Sequence, residues 1–125
     1  MKSSFKYPKV FDDLIDLYKS YSLIHSHLPK FFQGTTGSVI LLELTNALKH
    51  ISLINIVDDE SVSYQLAIQK LQLTLNSLTV IKAMLNTGWQ LKAISNGNMV
   101  KLFQQLEEVK SQVTAWQKWC DNLSN

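Results

Sequence analysis

The stretch LQLTLNSLTVIKAML, residues 71–85, decides the fold of this 125-residue chain. Apolar residues recur in it at spacings of three and four from its first residue to its last, which places them on one face of a helix. Leu66, Leu73 and Val80 repeat every seven residues on a different face. Because a helix that is apolar on two faces is either deeply buried or part of an interface, we expect this helix to make a second contact beyond the core.

The same apolar period predicts three further helices around this one. Pro8 suits a first turn, Pro29 ends the first helix, Gly88 closes the third, and Ser95 or Asn96 caps the fourth. Short joints between helices favour an antiparallel arrangement. The sequence therefore predicts an all-α, up-down-up-down four-helix bundle as a single domain over 1–125. The predicted helices span about 9–28, 36–56, 61–86 and 96–119, followed by a polar tail at 121–125.

The second and third predicted helices carry more apolar surface than one core seam can use. In a four-helix bundle of this size no helix is fully enclosed, so the excess predicts a homo-oligomer. The alternative to a homo-oligomer is a single chain that buries the extra apolar residues in a larger core. The candidate interface residues are Val39, Leu42, Leu53, Leu66, Leu73 and Val80.

The composition limits the class of protein. Apolar residues make up 46% of the chain, enough for a core, but no apolar run reaches the roughly 20 residues that a membrane span needs. The basic N-terminus is not followed by an apolar segment with a cleavage site, so we expect no signal peptide. The single cysteine, Cys120, rules out a disulfide within the chain and favours the cytoplasm.

No pattern in the chain predicts an enzyme. The segment FFQGTTGSVILLEL, residues 31–44, looks like a phosphate-binding loop, but its glycines are too close and no lysine follows Gly37. A turn with Thr35 or Thr36 capping the next helix explains the segment better. His25 and His27 point to different sides of a helix and cannot share a metal ion. We therefore expect no catalytic residue, metal, cofactor or small-molecule substrate.

The charge pattern leaves the question of nucleic-acid binding open. The net charge is only +2, and all twelve basic residues are lysines, which weakens sequence-specific recognition because arginine is the usual bidentate reader of bases. The lysines form no stripe along any one helix, although a ring would multiply a weak patch by its number of subunits. The candidate phosphate-binding residues are Lys30, Lys49, Lys70, Lys82, Lys92 and Lys101.

Three segments resemble one family. They are LIDLYKSYSLIHSHLPKFFQGTTGSVILLELTNAL at 14–48, LQLTLNSLTVIKAMLNTGWQLKAIS at 71–95 and FQQLEEVKSQVTAWQKW at 103–119. Their order and spacing are similar to the accessory variability determinants of diversity-generating retroelements, which are related to bundle proteins encoded in ribosomal RNA intervening sequences. The motifs are a Leu28-Pro29-Lys30 helix end, a Thr35-Thr36-Gly37 helix start, and a final helix that carries Leu106 to Val109 and Trp116 or Trp119.

The resemblance implies a homopentameric ring without catalytic chemistry. Such a ring binds the error-prone reverse transcriptase of the retroelement and, through basic surface, its template RNA or DNA. Lys30 matches a basic position of the family, whereas the other candidate lysines are chosen on charge alone. The low net charge supports an alternative from another class, an oligomeric helical scaffold or adaptor that binds no nucleic acid.

Overall fold

The computed structural model describes residues 9–54 and 64–124, and all regular structure within these ranges is helical. The helices are α1 Lys9–His25, α2 Lys30–Gly34, α3 Thr36–Ser52, α4 Tyr64–Gln90 and α5 Asn96–Ser124. α1 and α4 each pack against both α3 and α5, and α2 packs against α3. The described part of the chain is thus a helical bundle, with one short helix that the sequence pattern did not predict.

The core is a continuous apolar cluster to which every described helix contributes side chains. Each long helix contributes residues at spacings of three and four, as the period of an amphipathic helix requires. α2 contributes a single ring, Phe32, which is fully buried. Other large side chains that are fully buried include Leu14, Leu17, Tyr21, Ile40, Leu44, Ile51, Leu71, Leu78, Ile81, Leu85, Ile94, Leu102 and Leu106.

The start of α3 differs from the prediction. Residues 30–34 were expected to be a joint, but they form α2, and Gln33 N donates to Pro29 O at 3.0 Å. The Thr35 hydroxyl donates backwards to Phe31 O at 2.6 Å, and α3 has no side-chain cap. The predicted threonine cap is wrong because the hydroxyl bonds the carbonyl four residues before it.

The end of α4 also differs, because Gly88 does not stop the helix. α4 continues to Gln90, and the chain reverses at Lys92, whose φ of 62° lies in the left-handed region. Lys92 N donates to Trp89 O at 3.0 Å and Ala93 N donates to Gly88 O at 2.9 Å. This is the hydrogen-bond pattern of a Schellman motif, with a lysine in the place that glycine usually takes.

Other helix ends shift for local reasons. α1 ends at His25 rather than at 28, since His27 N donates to Ile24 O and the chain tightens before Pro29. α3 ends at Ser52 rather than at 56, and the Ser52 hydroxyl donates to the carbonyl of Lys49.

The last helix is longer than predicted. α5 includes most of the expected polar tail because Cys120, which is 1% exposed, continues the buried seam one turn beyond Trp116. Residues 55–56, 61–63 and 125 of the predicted segments lie outside the described residues.

Candidate nucleic-acid and subunit interfaces

Two buried glycines bring several helix ends together at one end of the bundle. A Cβ atom at Gly37 would lie 2.8 Å from His25 Cε1 and 2.9 Å from Phe32 O. A Cβ atom at Gly88 would lie 2.7 Å from both Phe32 Cζ and Ile94 Cδ1. The end of α1, α2, the start of α3 and the α4–α5 joint therefore meet around Phe32. Gly37 thus allows α1 and α2 to approach the start of α3 closely.

The same end presents a fixed aromatic ring. Trp89 is 43% exposed, and its indole Nε1 donates to Asn96 Oδ1 at 2.6 Å. The Ser95 hydroxyl accepts from Asn98 N at 3.2 Å, so the predicted serine cap of α5 is confirmed. An open groove of about 450 Å³ lies beside the ring and is lined by Trp89, Gln90, Lys92, Ile94, Ser95 and Asn96. We call this region the Trp89 end.

Acidic residues are absent from the segments that build the Trp89 end. The sequence contains no Asp or Glu between residues 17 and 42, and none between 61 and 106. These two intervals hold Lys19, Lys30, Lys70, Lys82, Lys92 and Lys101. Lysines occur along the whole bundle, but the acidic residues that the structure describes lie toward its middle and its other end. The spacing of the acidic residues carried this signal, which the search for basic stripes missed.

The six candidate lysines separate into three groups. Lys30, Lys92 and Lys101 are exposed at or next to the Trp89 end. Lys82 Nζ lies 3.1 Å from Glu107 Oε2 and 5.8 Å from the centre of the Phe103 ring. Because an exposed ion pair is weak, this contact reduces the charge available to a phosphate without removing it.

Lys49 and Lys70 form the third group, on either side of His50. His50 Nδ1 is buried and has no hydrogen-bond partner among the described residues. Burial lowers the pKa of His50, and the positive charges of Lys70 and Lys49 lower it further. Burial and the two lysines thus disfavour the protonated imidazole, while Glu43 partly opposes them.

The predicted interface residues lie on the outside of α3 and α4. Five of the six are exposed, and Val80 is half-buried. Val39, Leu42 and Leu53 occupy one side of α3, while Leu66, Leu73 and Val80 occupy one side of α4 by their seven-residue period. α3 and α4 pack directly on each other. We call these six residues the α3–α4 face.

Three further features of the described residues bear on function: the grouping of possible metal ligands, the thiol of Cys120 and the apolarity of the helices. Within 9–54 and 64–124, no three His, Cys, Asp or Glu side chains are grouped so that they could hold a metal ion. Burial raises the pKa of the Cys120 thiol, which disfavours the nucleophilic thiolate. None of the described helices has the length and apolarity to cross a bilayer.

Comparison with known proteins adds no relative. No family model, no curated protein and no solved structure matches this chain.

Proposed function

We propose that this chain is a non-enzymatic, cytoplasmic accessory protein of a diversity-generating retroelement. In this proposal it assembles into a homopentameric ring that binds the reverse transcriptase and its template RNA or DNA during mutagenic copying. The three sequence segments that resemble the accessory variability determinants support this identity. The helical bundle is the fold that the resemblance implies.

An up-down order of the helices is part of the proposal, and paired contacts support it. Between α1 and α3, His25 lies at Gly37 while Tyr18 OH is 3.4 Å from Thr45 Oγ1. Residue numbers therefore rise on one helix as they fall on the other. Between α4 and α5, Lys82 contacts Glu107 and Gln117 contacts Ile68 in the same manner.

The observation that carries the proposal is the exposed α3–α4 face. Apolar side chains such as Leu42 and Leu73 are costly to leave in water, and since about half of each is already covered, burial of the rest stabilises an assembly by roughly 1 kcal/mol each. Since this face lies on two adjacent helices, a neighbouring copy can cover it without disturbing the core. A ring then repeats the acid-free Trp89 end once for each subunit, which raises its attraction for a polyanion.

The second candidate function is an oligomeric scaffold or adaptor that binds no nucleic acid. The net charge of +2 and the engagement of Lys82 by Glu107 favour it. Both functions need the α3–α4 face, so they differ only in what the assembled protein binds.

Light scattering of the purified protein tests the ring. We expect a mass close to five chains, and a monodisperse monomer would overturn the assembly. Leu42→Lys and Leu73→Lys place charges on the α3–α4 face and should release smaller species. Leu23→Lys is the matched control, since Leu23 is exposed on α1 and lies outside the face.

Binding to the template RNA and to a reverse transcriptase encoded beside this gene tests the accessory role. We expect an RNA mobility shift that weakens steeply as salt increases, together with co-purification of the enzyme. Co-purification without any shift at low salt would favour the adaptor. Absence of a reverse-transcriptase gene and template repeat from the genomic neighbourhood would contradict the retroelement function.

A further inference from the structure

We infer that the Trp89 end is a docking site for single-stranded nucleic acid, in which an unpaired base stacks on the Trp89 indole and Lys30 and Lys92 contact the flanking phosphates. This inference rests on the proposed function. It assigns the proposed nucleic-acid binding to one surface, the Trp89 end, and to single-stranded rather than double-stranded nucleic acid. Neither the lysine pattern nor the resemblance selects this end of the bundle. The geometry of the α4–α5 joint does.

The first argument is the way in which the indole is held. The hydrogen bond from Nε1 to Asn96 Oδ1 fixes the polar edge of the ring, while 43% of the side chain stays exposed. A ring fixed at its edge loses little conformational freedom when a base stacks on it. Asn96 is itself held in place as the first residue of the 29-residue helix α5. The joint therefore presents a stacking surface that exists before the ligand arrives.

The second argument is charge. Lys92 lines the same groove as Trp89, and Lys30 is exposed on α2, whose Phe32 packs at Gly88 one residue before Trp89. The helix ends that meet at the Trp89 end lie within the acid-free intervals 17–42 and 61–106, so these helix ends carry no carboxylate that would offset Lys30 and Lys92. Phosphate binding by a point charge needs only this excess, because lysine can neutralise a phosphate without bidentate geometry.

The combination favours single strands over duplexes. Base stacking on an aromatic side chain requires a base whose face is not already covered by its neighbours. Phe31, which is 63% exposed on α2, offers a second ring at the same end. Stacking tolerates any base, which suits a chain that has no arginine to read base edges.

The conformation of Lys92 fits this assignment. A lysine at the left-handed position of the α4 end replaces the glycine that the backbone would favour. The charged side chain is thereby placed in the groove beside Trp89. The left-handed conformation of Lys92 costs stability, and a binding role of its side chain explains why lysine rather than glycine occupies this position.

The experiment measures the affinity of the full chain for a 20-nucleotide single-stranded RNA and for the same sequence as a duplex, by fluorescence anisotropy at several salt concentrations. We expect tighter binding of the single strand. Trp89→Leu should weaken it about tenfold, the loss of roughly one stacked base. Lys92→Gln should reduce the slope of log affinity against log salt by about 1.

Matched controls lie at the other end of the bundle. Trp119 is 53% exposed, and Lys118 is exposed on α5 beside it, so Trp119→Leu and Lys118→Gln remove the same groups elsewhere. Circular dichroism and light scattering of each variant establish that fold and assembly are kept. Binding that is equally affected at both ends would overturn the inference.

Other outcomes separate the inference from the proposed function. If the wild-type protein binds RNA while Trp89→Leu and Lys92→Gln change nothing, the docking site is wrong and the accessory role stands. If the wild-type protein binds neither form even at low salt, the nucleic-acid arm of the proposed function fails as well. Loss of reverse-transcriptase or anionic-vesicle binding in Trp89→Leu, with RNA affinity unchanged, would assign this surface to another partner and overturn the inference.

Discussion

The two ends of the bundle each carry a half-exposed tryptophan, yet they are held together differently. At the Trp89 end, helices approach through Gly37 and Gly88, and Phe32 fills the space between them. At the opposite end, which we call the Trp119 end, long polar side chains connect the helices.

At the Trp119 end, hydrogen bonds between polar side chains add to the contacts of the apolar core. Gln112 Nε2 donates to Asp13 Oδ2 at 2.6 Å, and Gln117 Nε2 donates to Gln72 Oε1 at 3.1 Å. The Trp119 ring meets Tyr64 edge-on at 6.0 Å. Close steric packing fixes one geometry, whereas amide side chains allow adjustment. The comparison teaches that the rigid end, rather than the adaptable one, carries the acid-free surface.

The largest effect is expected from Phe32→Ala. Removal of this fully buried ring leaves a cavity at the meeting point of four helix ends, and we expect a loss of about 3–5 kcal/mol in the free energy of unfolding. Urea denaturation at a fixed protein concentration measures it. Phe31→Ala, on the adjacent exposed ring, should change stability by no more than about 0.5 kcal/mol. Equal losses would show that α2 does not anchor this end.

Gly88→Ala tests the close approach of the Phe32 ring to the backbone of α4. The added Cβ would lie 2.7 Å from Phe32 Cζ, and overpacking of about 1–3 kcal/mol should exceed the roughly 1 kcal/mol that alanine gains in a helix. In a Phe32→Ala background this contact is gone and only Ile94 Cδ1, the end of a flexible side chain, stays close, so the same substitution should cost markedly less. A double-mutant cycle measured by urea denaturation checks this coupling. Additive effects would contradict a direct contact.

Gln112→Leu tests the Trp119 end. It removes the donor to Asp13, and we expect a loss of about 1 kcal/mol at neutral pH. Hydrogen bonds from Lys9 and Gln112 lower the pKa of Asp13, so the stability they provide is present above the ordinary carboxyl pKa and lost as pH falls below it. The difference between variant and wild type should therefore shrink in acid. A difference that does not change with pH would separate Gln112 from Asp13.

Lys92→Gly should stabilise the protein. Glycine adopts the left-handed conformation without steric cost, so we expect a gain of about 1 kcal/mol at the end of α4. Lys101→Gly removes the same charge inside α5 and should instead cost about 1 kcal/mol. Thermal unfolding of both variants distinguishes the backbone effect from the charge effect. A loss of stability in Lys92→Gly would show that the lysine side chain supports the turn.

The smallest effect concerns His50. Its folded-state pKa lies below the ordinary value of 6.5, so the unfolded chain takes up a proton first and stability falls as pH decreases from 6.5 toward the folded-state value. His50→Gln should weaken this dependence in urea titrations between pH 8 and pH 5.5. His27→Gln, at an exposed position, is the control. An unchanged pH profile in His50→Gln would show that burial and the two lysines do not lower the pKa of the imidazole in the folded chain.

Sequence reasoning predicted the helical bundle and most buried residues because the period of apolar residues depends directly on burial. The predictions that a threonine caps α3 and that Gly88 ends α4 were wrong, because the structure at both positions depends on contacts between segments. A glycine after a helical run looks the same whether it ends the helix or admits Phe32 from another helix. The outward position of the α4 half of the α3–α4 face could be predicted from the seven-residue repeat of Leu66, Leu73 and Val80, whereas the setting of Trp89 required the position of Asn96.

Because Cys120 is buried, its thiol can be used to measure the local opening of α5. It is the only thiol in the chain, it is 1% exposed, and its raised pKa keeps the reactive thiolate scarce. An alkylating reagent can therefore modify it only when the last turns of α5 open. The rate of labelling measures the free energy of that opening without any added probe, so the loosening of α5 at the Trp119 end can be followed while a ligand occupies the Trp89 end.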